Sequence, residues 1–320
     1  MAVYTEVSDD DLIEFVARYD LGEVVACKGI AEGIENSNYL VQTEAGTYIL
    51  TLYERRVARK DLPFFLALME HLARSGIACP TPIRARNGEA LGELRGRPAA
   101  LVSFLLGQWP RRITPQHCRG LGEAMGRLHI AGRSFAMSRA NDLSLAGWRT
   151  LLAARLACAD HLEPGLAAEL EAELQAVEHG WPSDLATGVI HADLFPDNVF
   201  FLGDRLSGII DFYFACNDFL AYDLAIAINA WCFEADASFN VTKAKSLYTG
   251  YASARPLAPA EVAALPTLAR GAALRFALTR LYDWFAQTGS AAVRRKDPLE
   301  YVKKLRFHRG VGGAEAYGLA

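Results

Sequence analysis

Residues 189–212 of the chain read VIHADLFPDNVFFLGDRLSGIIDF, and this stretch decides which fold the sequence specifies. Two short apolar runs, 199–202 and 206–210, lie on either side of Gly203-Asp204-Arg205. Apolar runs of that length around a glycine-bearing turn are typical of a tight β-hairpin. The stretch therefore predicts two paired strands that begin and end at polar residues.

Three polar side chains lie at the open end of this predicted hairpin. Asn198 comes just before the first strand, Asp211 just after the second, and Asp193 upstream in a loop held by Pro196. Because the outer ends of a hairpin lie side by side, we expect two carboxylates and one amide to converge there.

The residue types in this cluster suit phosphoryl transfer from Mg-ATP. In such a site an Asp accepts the proton of the attacking hydroxyl, while an Asn and a second Asp hold magnesium through oxygen atoms. The alternative is that Asp193 and Asp197 cap a loop and Asn198 merely starts a strand, which are common roles for Asp and Asn. The compound pattern H-x-D-x-x-x-x-N with a hairpin ending in Asp favours the catalytic interpretation.

These motifs resemble a known family. His191-x-Asp193-x-x-x-x-Asn198, with IIDF at 209–212, resembles the aminoglycoside phosphotransferase and choline kinase branch of the protein-kinase-like fold, over nearly the whole chain. Within that branch, segments 33–39, 48–54, 274–276 and 296–298 are similar to the bacterial homoserine kinases of this fold. The resemblance implies an α+β, bilobal kinase with ATP between a small antiparallel-sheet lobe and a mainly helical lobe. The lobes would span 1–106 and 107–320, with a hinge near 103–108.

The resemblance also implies roles for individual residues. Asp193 would be the catalytic base, Asn198 and Asp211 the magnesium ligands, and His191 a structural organiser of the loop. Asp223 falls where the family has an acid that braces the catalytic loop, the alternative being an ordinary helix N-cap.

A glycine-bearing stretch after the first predicted strand is the candidate for the phosphates of ATP. Gly29 and Gly33 fall where the family has its phosphate-covering hairpin, and Asn36 and Ser37 offer polar groups beside it. Two glycines in a β-turn are weak evidence when taken alone.

The third predicted strand departs from the broad kinase pattern. It offers Thr51 where a Lys or Arg should meet the phosphates, and the acid that would pair with that cation is also missing from the apolar segment 63–66. The loss of both is consistent, because a lone buried charge is costly. Magnesium, Arg55 or Arg56 are the candidates to neutralise the phosphates, and an inactive, non-catalytic nucleotide-binding regulator is the alternative.

A polar stripe on the predicted helix 274–284 is the candidate acceptor site. Arg275 and Asp283 share one helix face with Thr279, and Arg280 is its neighbour. The alternative is a solvated face with an internal ion pair. An Arg suits a carboxylate and an acid suits an ammonium, so the resemblance and these side chains favour L-homoserine as the small-molecule substrate, a step of threonine biosynthesis. Choline, ethanolamine and aminoglycosides are the alternatives.

Periodicity away from the motifs predicts the remaining elements. A helix should follow Ser8, with strands over 24–27, 39–43, 47–50, 90–94 and 97–104 and a helix over 62–73. Long helices should cover 115–130, 146–161 and 167–179. The family resemblance implies that His129 is a hydrogen-bonded structural residue, on a helix behind the catalytic loop. The histidines expected at the surface or at helix ends are His71, His117, His161, His179 and His308.

Composition excludes several classes of protein. The 320 residues are 52% hydrophobic and 22% charged with a formal net charge of -4, which argues against a disordered chain and against a nucleic-acid partner. No apolar run reaches the roughly 20 residues that a membrane span needs. The polar, acidic N-terminus predicts a cytoplasmic protein, and six scattered cysteines without a C-x-x-C pair are expected to be reduced and mostly buried. Oligomeric state cannot be inferred from these features.

Overall fold

The computed structural model describes residues 4–30, 36–54, 57–286 and 295–319. The chain divides into two compact units. The N-terminal unit takes the described residues up to Gly107 together with Ser207–Tyr213, and the helical unit takes Gln108–Leu206 with the described residues from Phe214 onward. The predicted lobe boundaries stay a prediction, because compactness does not show which part folds or acts alone.

The N-terminal unit is built around one antiparallel sheet. Its elements are α1 (Asp9–Val16), β1 (Val24–Gly29), β2 (Ser37–Thr43), β3 (Gly46–Leu52), α2 (Leu62–Arg74), β4 (Gly92–Leu94) and β5 (Arg97–Ser103). The strand order is β1-β2-β3-β5-β4. Leu50 on β3 lies opposite Tyr39 on β2 and Leu101 on β5, and these side chains share a buried core with Phe15 of α1. The Ser8 side chain accepts from the Asp11 N–H and so caps α1 as predicted.

The helical unit contains the loop with the predicted catalytic residues. Its elements are α3 (Pro115–Ala131), α4 (Leu145–Ala159), α5 (Leu166–Gly180), β6 (Thr187–Ile190), β7 (Val199–Leu202), β8 (Arg205–Ile209), β9 (Cys216–Phe219), α6 (Leu220–Trp231), α7 (Val241–Ala254), α8 (Pro259–Phe285) and α9 (Pro298–Arg309). β6 pairs with β9, and β7 pairs with β8 in the predicted hairpin. The chain leaves this unit within β8 and returns after Tyr213.

Helix α8 is longer than the sequence predicted. It begins at Pro259 and passes through Pro266, whereas the prediction covered only 274–284. An interior proline lacks an N–H and usually ends or kinks a helix. Pro266 therefore argued against a helix that continues from Pro259 to the predicted segment.

Helices α3 and α7 approach each other unusually closely. A Cβ added at Gly122 of α3 would lie 2.0 Å from the carbonyl oxygen of Leu247, and one at Gly250 of α7 would lie 2.0 Å from that of Arg119. Only glycine fits at such contacts between backbones. The close packing lets His129, two turns after Gly122, meet Tyr251 across the interface.

The α+β prediction, with a small antiparallel sheet and a mainly helical remainder, is confirmed. All six cysteines are free, and four of them are buried. Among the described helices, none has both the length and the apolar character that crossing a bilayer requires.

Candidate active site

The loop between β6 and β7 carries His191, Asp193 and Asn198. Asn198 ends a single 3-10 turn that Pro196 begins, and its Nδ2 donates to the main-chain oxygen of Asp193 at 2.8 Å and to Asp193 Oδ2 at 3.1 Å. These two bonds fix the orientation of the amide, so that Oδ1 of Asn198 is its acceptor atom. An amide oxygen beside a carboxylate is a donor set that suits Mg²⁺.

The peptide of Ala192, one residue before Asp193, is held at both of its polar atoms. Its N–H donates to Asp223 Oδ1 at 2.8 Å, and its carbonyl accepts from Arg275 Nη1 at 2.7 Å. Ala192 has a φ of 63°, in the left-handed region that costs a non-glycine residue about 1–2 kcal/mol. The two contacts therefore hold a backbone conformation that places Asp193.

Asp223 braces this loop from α6. Its buried carboxylate accepts from the N–H groups of His191 and Ala192 and faces Nε2 of His129 at 3.0 Å. Burial by itself raises the pKa of Asp223, but the hydrogen bonds from His129 and His191 outweigh it and lower that pKa. The alternative that Asp223 is a helix N-cap is wrong, since Phe219 holds that position in α6.

Behind Asp223, hydrogen bonds continue through the interior of the helical unit. Nδ1 of His129 lies 2.8 Å from the Tyr251 hydroxyl, to which Arg255 Nη1 donates at 3.0 Å, and Arg255 Nη2 donates to Glu261 Oε1 at 2.8 Å. All five side chains are at most 6% exposed. We call this chain of contacts the relay; its members are Asp223, His129, Tyr251, Arg255 and Glu261. The predicted structural role of His129 is confirmed by its two hydrogen bonds.

Asp211 is described within the N-terminal unit, two residues after β8 ends. The strand before it is fixed by a bond from the Ile209 N–H to the Ala78 carbonyl at 2.8 Å. The segment after it is anchored by Tyr213, whose hydroxyl lies 3.3 Å from that of Tyr53. Asp211 has a φ of 65°, so its backbone is in the left-handed region between these two anchors.

The predicted phosphate-binding residues differ in their surroundings. Gly29 ends β1 opposite Tyr39 and is exposed, whereas Gly33 lies outside the described residues. Asn36 accepts from the Glu54 N–H at 3.3 Å. Ser37 is fully buried; its hydroxyl accepts from the Tyr4 and Thr5 N–H groups and donates to Glu54 Oε1 at 2.8 Å. Asn36 and Ser37 thus make contacts that stabilise the unit itself.

The position that lacks the usual cation is filled by an internal contact. The hydroxyl of Thr51 on β3 donates to Asn38 Oδ1 at 2.8 Å, and Thr51 is buried. The candidates Arg55 and Arg56 lie outside the described residues. Arg97, which the sequence analysis did not single out, pairs with Glu54 at 3.3 Å in the same unit.

The three candidate acceptor residues on α8 lie in different environments. Arg275 is 1% exposed and is engaged by the Ala192 carbonyl. Arg280 donates to Glu300 Oε2 at 2.7 Å and to the Asp297 carbonyl at 3.1 Å, and it lies over the ring of Tyr301. Asp283 is partly exposed near the end of the helix.

Helix α9 contributes a polar cluster that sequence reasoning missed. Lys304 donates to Glu300 Oε1 at 2.9 Å and to the Asn229 carbonyl at 3.0 Å. His308, in the last turn, is 2% exposed and bonds both Asn229 and the Tyr317 hydroxyl. Burial, and then the charge of Lys304, lower the pKa of His308 to about 3. The available signal was the i, i+4 spacing of Glu300, Lys304 and His308 on one helix.

The whole chain is similar to curated proteins. A family profile described as the phosphotransferase enzyme family matches residues 26–257. A curated homoserine kinase of Rhodopseudomonas palustris is 62% identical over 320 residues, which cover 100% of this chain and 98% of that protein. The homoserine kinase of Rhodospirillum rubrum is 61% identical, with 100% of each chain covered.

Among solved structures, an amicoumacin kinase in complex with AMP-PNP, Ca²⁺ and its antibiotic is similar in fold. The TM-score is 0.69 at 17% identity, with 95% of this chain and 92% of that chain covered. At that identity the likeness concerns the fold alone. It agrees with the kinase-like α+β class expected from the motifs.

Proposed function

The chain belongs to the phosphotransferase enzyme family, and we propose that it transfers the γ-phosphoryl group of ATP to the side-chain hydroxyl of L-homoserine, giving O-phospho-L-homoserine. The observation that carries this function is the 62% identity with the Rhodopseudomonas palustris homoserine kinase across the entire chain. Acceptor recognition depends on side chains from distant parts of a sequence, so likeness over the full length supports a shared acceptor. The resemblance inferred from the motifs is confirmed by these matches.

Asp193 is the proposed catalytic base. Its carboxylate accepts the proton of the acceptor hydroxyl as that oxygen attacks the γ-phosphorus and the bond to the β-phosphate oxygen breaks. The contact from Asn198 Nδ2 orients this carboxylate, and the grip on Ala192 fixes the main chain beside it. A general base held in this way contributes roughly 10²–10⁴-fold to turnover.

Asn198 and Asp211 are the proposed magnesium ligands. When bound with ATP, Mg²⁺ supplies positive charge that neutralises the phosphate oxygens. The chain offers oxygen atoms for it, an amide oxygen from Asn198 and a carboxylate from Asp211, which is the ligand type that this cation selects. Gly29 and Gly33 stay the proposed phosphate contacts, while the contacts of Asn36 and Ser37 support an indirect role in shaping that segment.

Recognition of a zwitterionic acceptor is proposed for Arg280 and Asp283. Arg280 keeps donors beyond the single Nη1 that Glu300 and Asp297 engage, and an Arg fork suits the carboxylate of homoserine. Asp283 would take the ammonium. We propose Arg275, the third candidate, as support for the loop, since it is only 1% exposed and its Nη1 donates to the Ala192 carbonyl.

An acceptor series tests the function. With purified protein and Mg-ATP, kcat/KM for L-homoserine should exceed that for choline, which lacks the carboxylate, and for 4-hydroxybutyrate, which lacks the amine. Sites that pair both charged ends reject such analogues by roughly 10⁴–10⁵-fold. A higher value for choline or an aminoglycoside would overturn the acceptor and keep the kinase. No phosphoryl transfer to any alcohol would favour a nucleotide-binding regulator.

The Asp193→Asn variant is the matched control for that series. It keeps the shape of the side chain and removes the proton acceptor, so nucleotide binding should persist while turnover falls roughly 10²–10⁴-fold. Turnover at the wild-type level in this variant would reject Asp193 as the base.

A cytoplasmic location is also proposed. The support is that all six cysteines are free, which is usual for proteins kept in a reducing compartment.

A further inference from the structure

The far end of the relay is joined to the catalytic loop through three buried side chains, Tyr251, His129 and Asp223. Glu261 is in the first turn of α8 and Arg255 directly follows α7, yet they connect through Tyr251 and His129 to the carboxylate of Asp223, which holds the catalytic loop. All five side chains of the relay are buried. Each contact is therefore a hydrogen bond inside protein, where its direction matters because no water can substitute for a lost partner.

The chemistry of the two ends fixes that direction. A guanidinium can only donate and an ionised carboxylate can only accept. Asp223 can only accept, so Nε2 of His129 donates to it. In the neutral ring Nδ1 is then an acceptor, which takes the proton of the Tyr251 hydroxyl and leaves the oxygen of that hydroxyl to accept from Arg255. Since both ends impose the same direction, the hydroxyl and the ring each have one satisfied arrangement.

The relay and α8 act on the same residue. Asp223 binds the N–H of Ala192, and Arg275, further along α8, binds its carbonyl. Glu261 also accepts from the Ala258 N–H at 2.9 Å, which ties the ion pair of the relay to the start of that helix. The strained φ of Ala192 is thus held from two sides, by Asp223 of α6 at the end of the relay and by Arg275 of α8.

We propose that Tyr251 and Arg255 are positioning residues for phosphoryl transfer, which fix His129 in the orientation that lets Asp223 hold the backbone before Asp193. This inference rests on the proposed function for its rate effect. It goes beyond the contacts of Asp223 with the loop, because it assigns a role to Tyr251 and Arg255, which touch neither the loop nor any reacting atom.

The helical unit provides a matched control. Tyr317 bonds Nδ1 of His308 at 2.8 Å, the same contact at the same distance as Tyr251 with His129, and both tyrosines are fully buried. Nε2 of His308 contacts the amide oxygen of Asn229, whereas Nε2 of His129 contacts the Asp223 carboxylate that holds the catalytic loop. Tyr251→Phe and Tyr317→Phe therefore remove the same hydroxyl from the same contact, and Tyr251→Phe in addition leaves Nη1 of Arg255 without its acceptor.

The experiment compares these two variants with the wild type. Tyr251→Phe should lower kcat about 10-fold with KM for ATP and acceptor within about twofold, while Tyr317→Phe should lose thermal stability and keep kcat. A kcat of Tyr251→Phe within about twofold of the wild type, as for Tyr317→Phe, would overturn the proposal and leave the relay a purely structural feature.

A second readout does not depend on the acceptor. Amide hydrogen exchange in the peptide that contains His191 and Ala192 should accelerate at least fivefold in Tyr251→Phe and remain unchanged in Tyr317→Phe. That result would support the relay even if homoserine proved to be the wrong substrate. Unchanged exchange in both variants would overturn the relay whatever the reaction is.

Variants of Arg255 test the direction of the hydrogen bonds in the relay. They also keep the proposal testable if Tyr251→Phe fails to fold. Arg255→Lys keeps a donor-only side chain and should retain kcat within about threefold. Arg255→Gln combined with Glu261→Gln avoids a lone buried charge, but an amide can donate or accept, so kcat should fall at least fivefold. Equal kcat in these two proteins would contradict a relay directed by the cation.

Discussion

The helical unit contains two buried pairs of histidine and tyrosine, and they differ in what they hold. His129 with Tyr251 ends on the Asp223 carboxylate, and His308 with Tyr317 ends on the amide of Asn229. Both tyrosine hydroxyls lie 2.8 Å from the Nδ1 of their histidine. The contact within each pair is the same, so the difference in role comes from the group at its end.

A carboxylate at the end can accept several hydrogen bonds at once, and Asp223 accepts two main-chain N–H groups of the catalytic loop in addition to His129. The amide nitrogen of Asn229 donates to the carbonyls of Ala225 and Ala269, and the second bond joins α6 to α8. The first pair therefore controls a loop, and the second joins two helices.

Replacing the Asp223 carboxylate should remove this difference, with the largest effect on turnover of the changes considered. In Asp223→Asn, an amide nitrogen takes the place of one acceptor oxygen, so one of the three donors facing it loses its partner. We expect the free energy of unfolding to fall by about 3 kcal/mol and kcat to fall about 10²-fold, as for a loop displaced by about an ångström. Urea unfolding and steady-state kinetics measure the two. Unchanged kcat at reduced stability would show that the loop does not need the brace.

The pair of His308 and Tyr317 should make the folded protein less stable at acidic pH. The folded-state pKa of His308 is lowered to about 3, so between pH 6.5 and 3 the unfolded chain binds a proton there that the folded protein does not. This contribution to the free energy of unfolding is fully present above pH 6.5 and is lost as the pH falls towards 3, by roughly 5 kcal/mol in total. Thermal unfolding from pH 7 to pH 4 measures this loss.

His308→Gln is the control for the acid effect. It keeps polar atoms for Asn229 and Tyr317 but cannot take up the proton, so its unfolding midpoint should depend less on pH than that of the wild type. The same slope in both proteins would assign the acid loss to other groups.

The smallest effect is expected at the loop itself. Glycine adopts the φ of Ala192 without strain, and this gain is partly offset by its greater freedom in the unfolded chain, so Ala192→Gly should stabilise the protein by less than about 1 kcal/mol. Ala237, with a φ of 66° in a turn away from the relay, is the matched site for the same change. A loss of stability at Ala192 alone would show that its buried methyl group contributes more than its strain costs.

The sequence was informative where function and local structure coincide. The spacing of His191, Asp193 and Asn198 predicted the loop, and the two apolar runs predicted its hairpin, because turn residues and strand periodicity are local signals. Ser8 likewise identified the start of α1. The confirmed kinase-like fold followed from these short segments.

The relay could not be predicted in the same way. His129 and Tyr251 are 122 positions apart, and helical periodicity shows which residues share a face but not which helix covers it. Gly122, Gly126 and Gly250 were the available signal, since glycine within a helix often marks close packing. His308 was equally hidden, because α9 buries a polar stripe that an apolar pattern does not report.

Helix α8 also imposes a limit on changes in chain length. Glu261 and Arg275 lie about four helical turns apart, so they share roughly one face of the helix. Glu261 is connected to the Ala192 N–H through the relay, and Arg275 binds the Ala192 carbonyl directly. One residue inserted between them would rotate the second by about 100° relative to the first. Homologous chains that keep this arrangement can vary the exposed face of α8 freely, but they should show neither insertions nor deletions between these two positions.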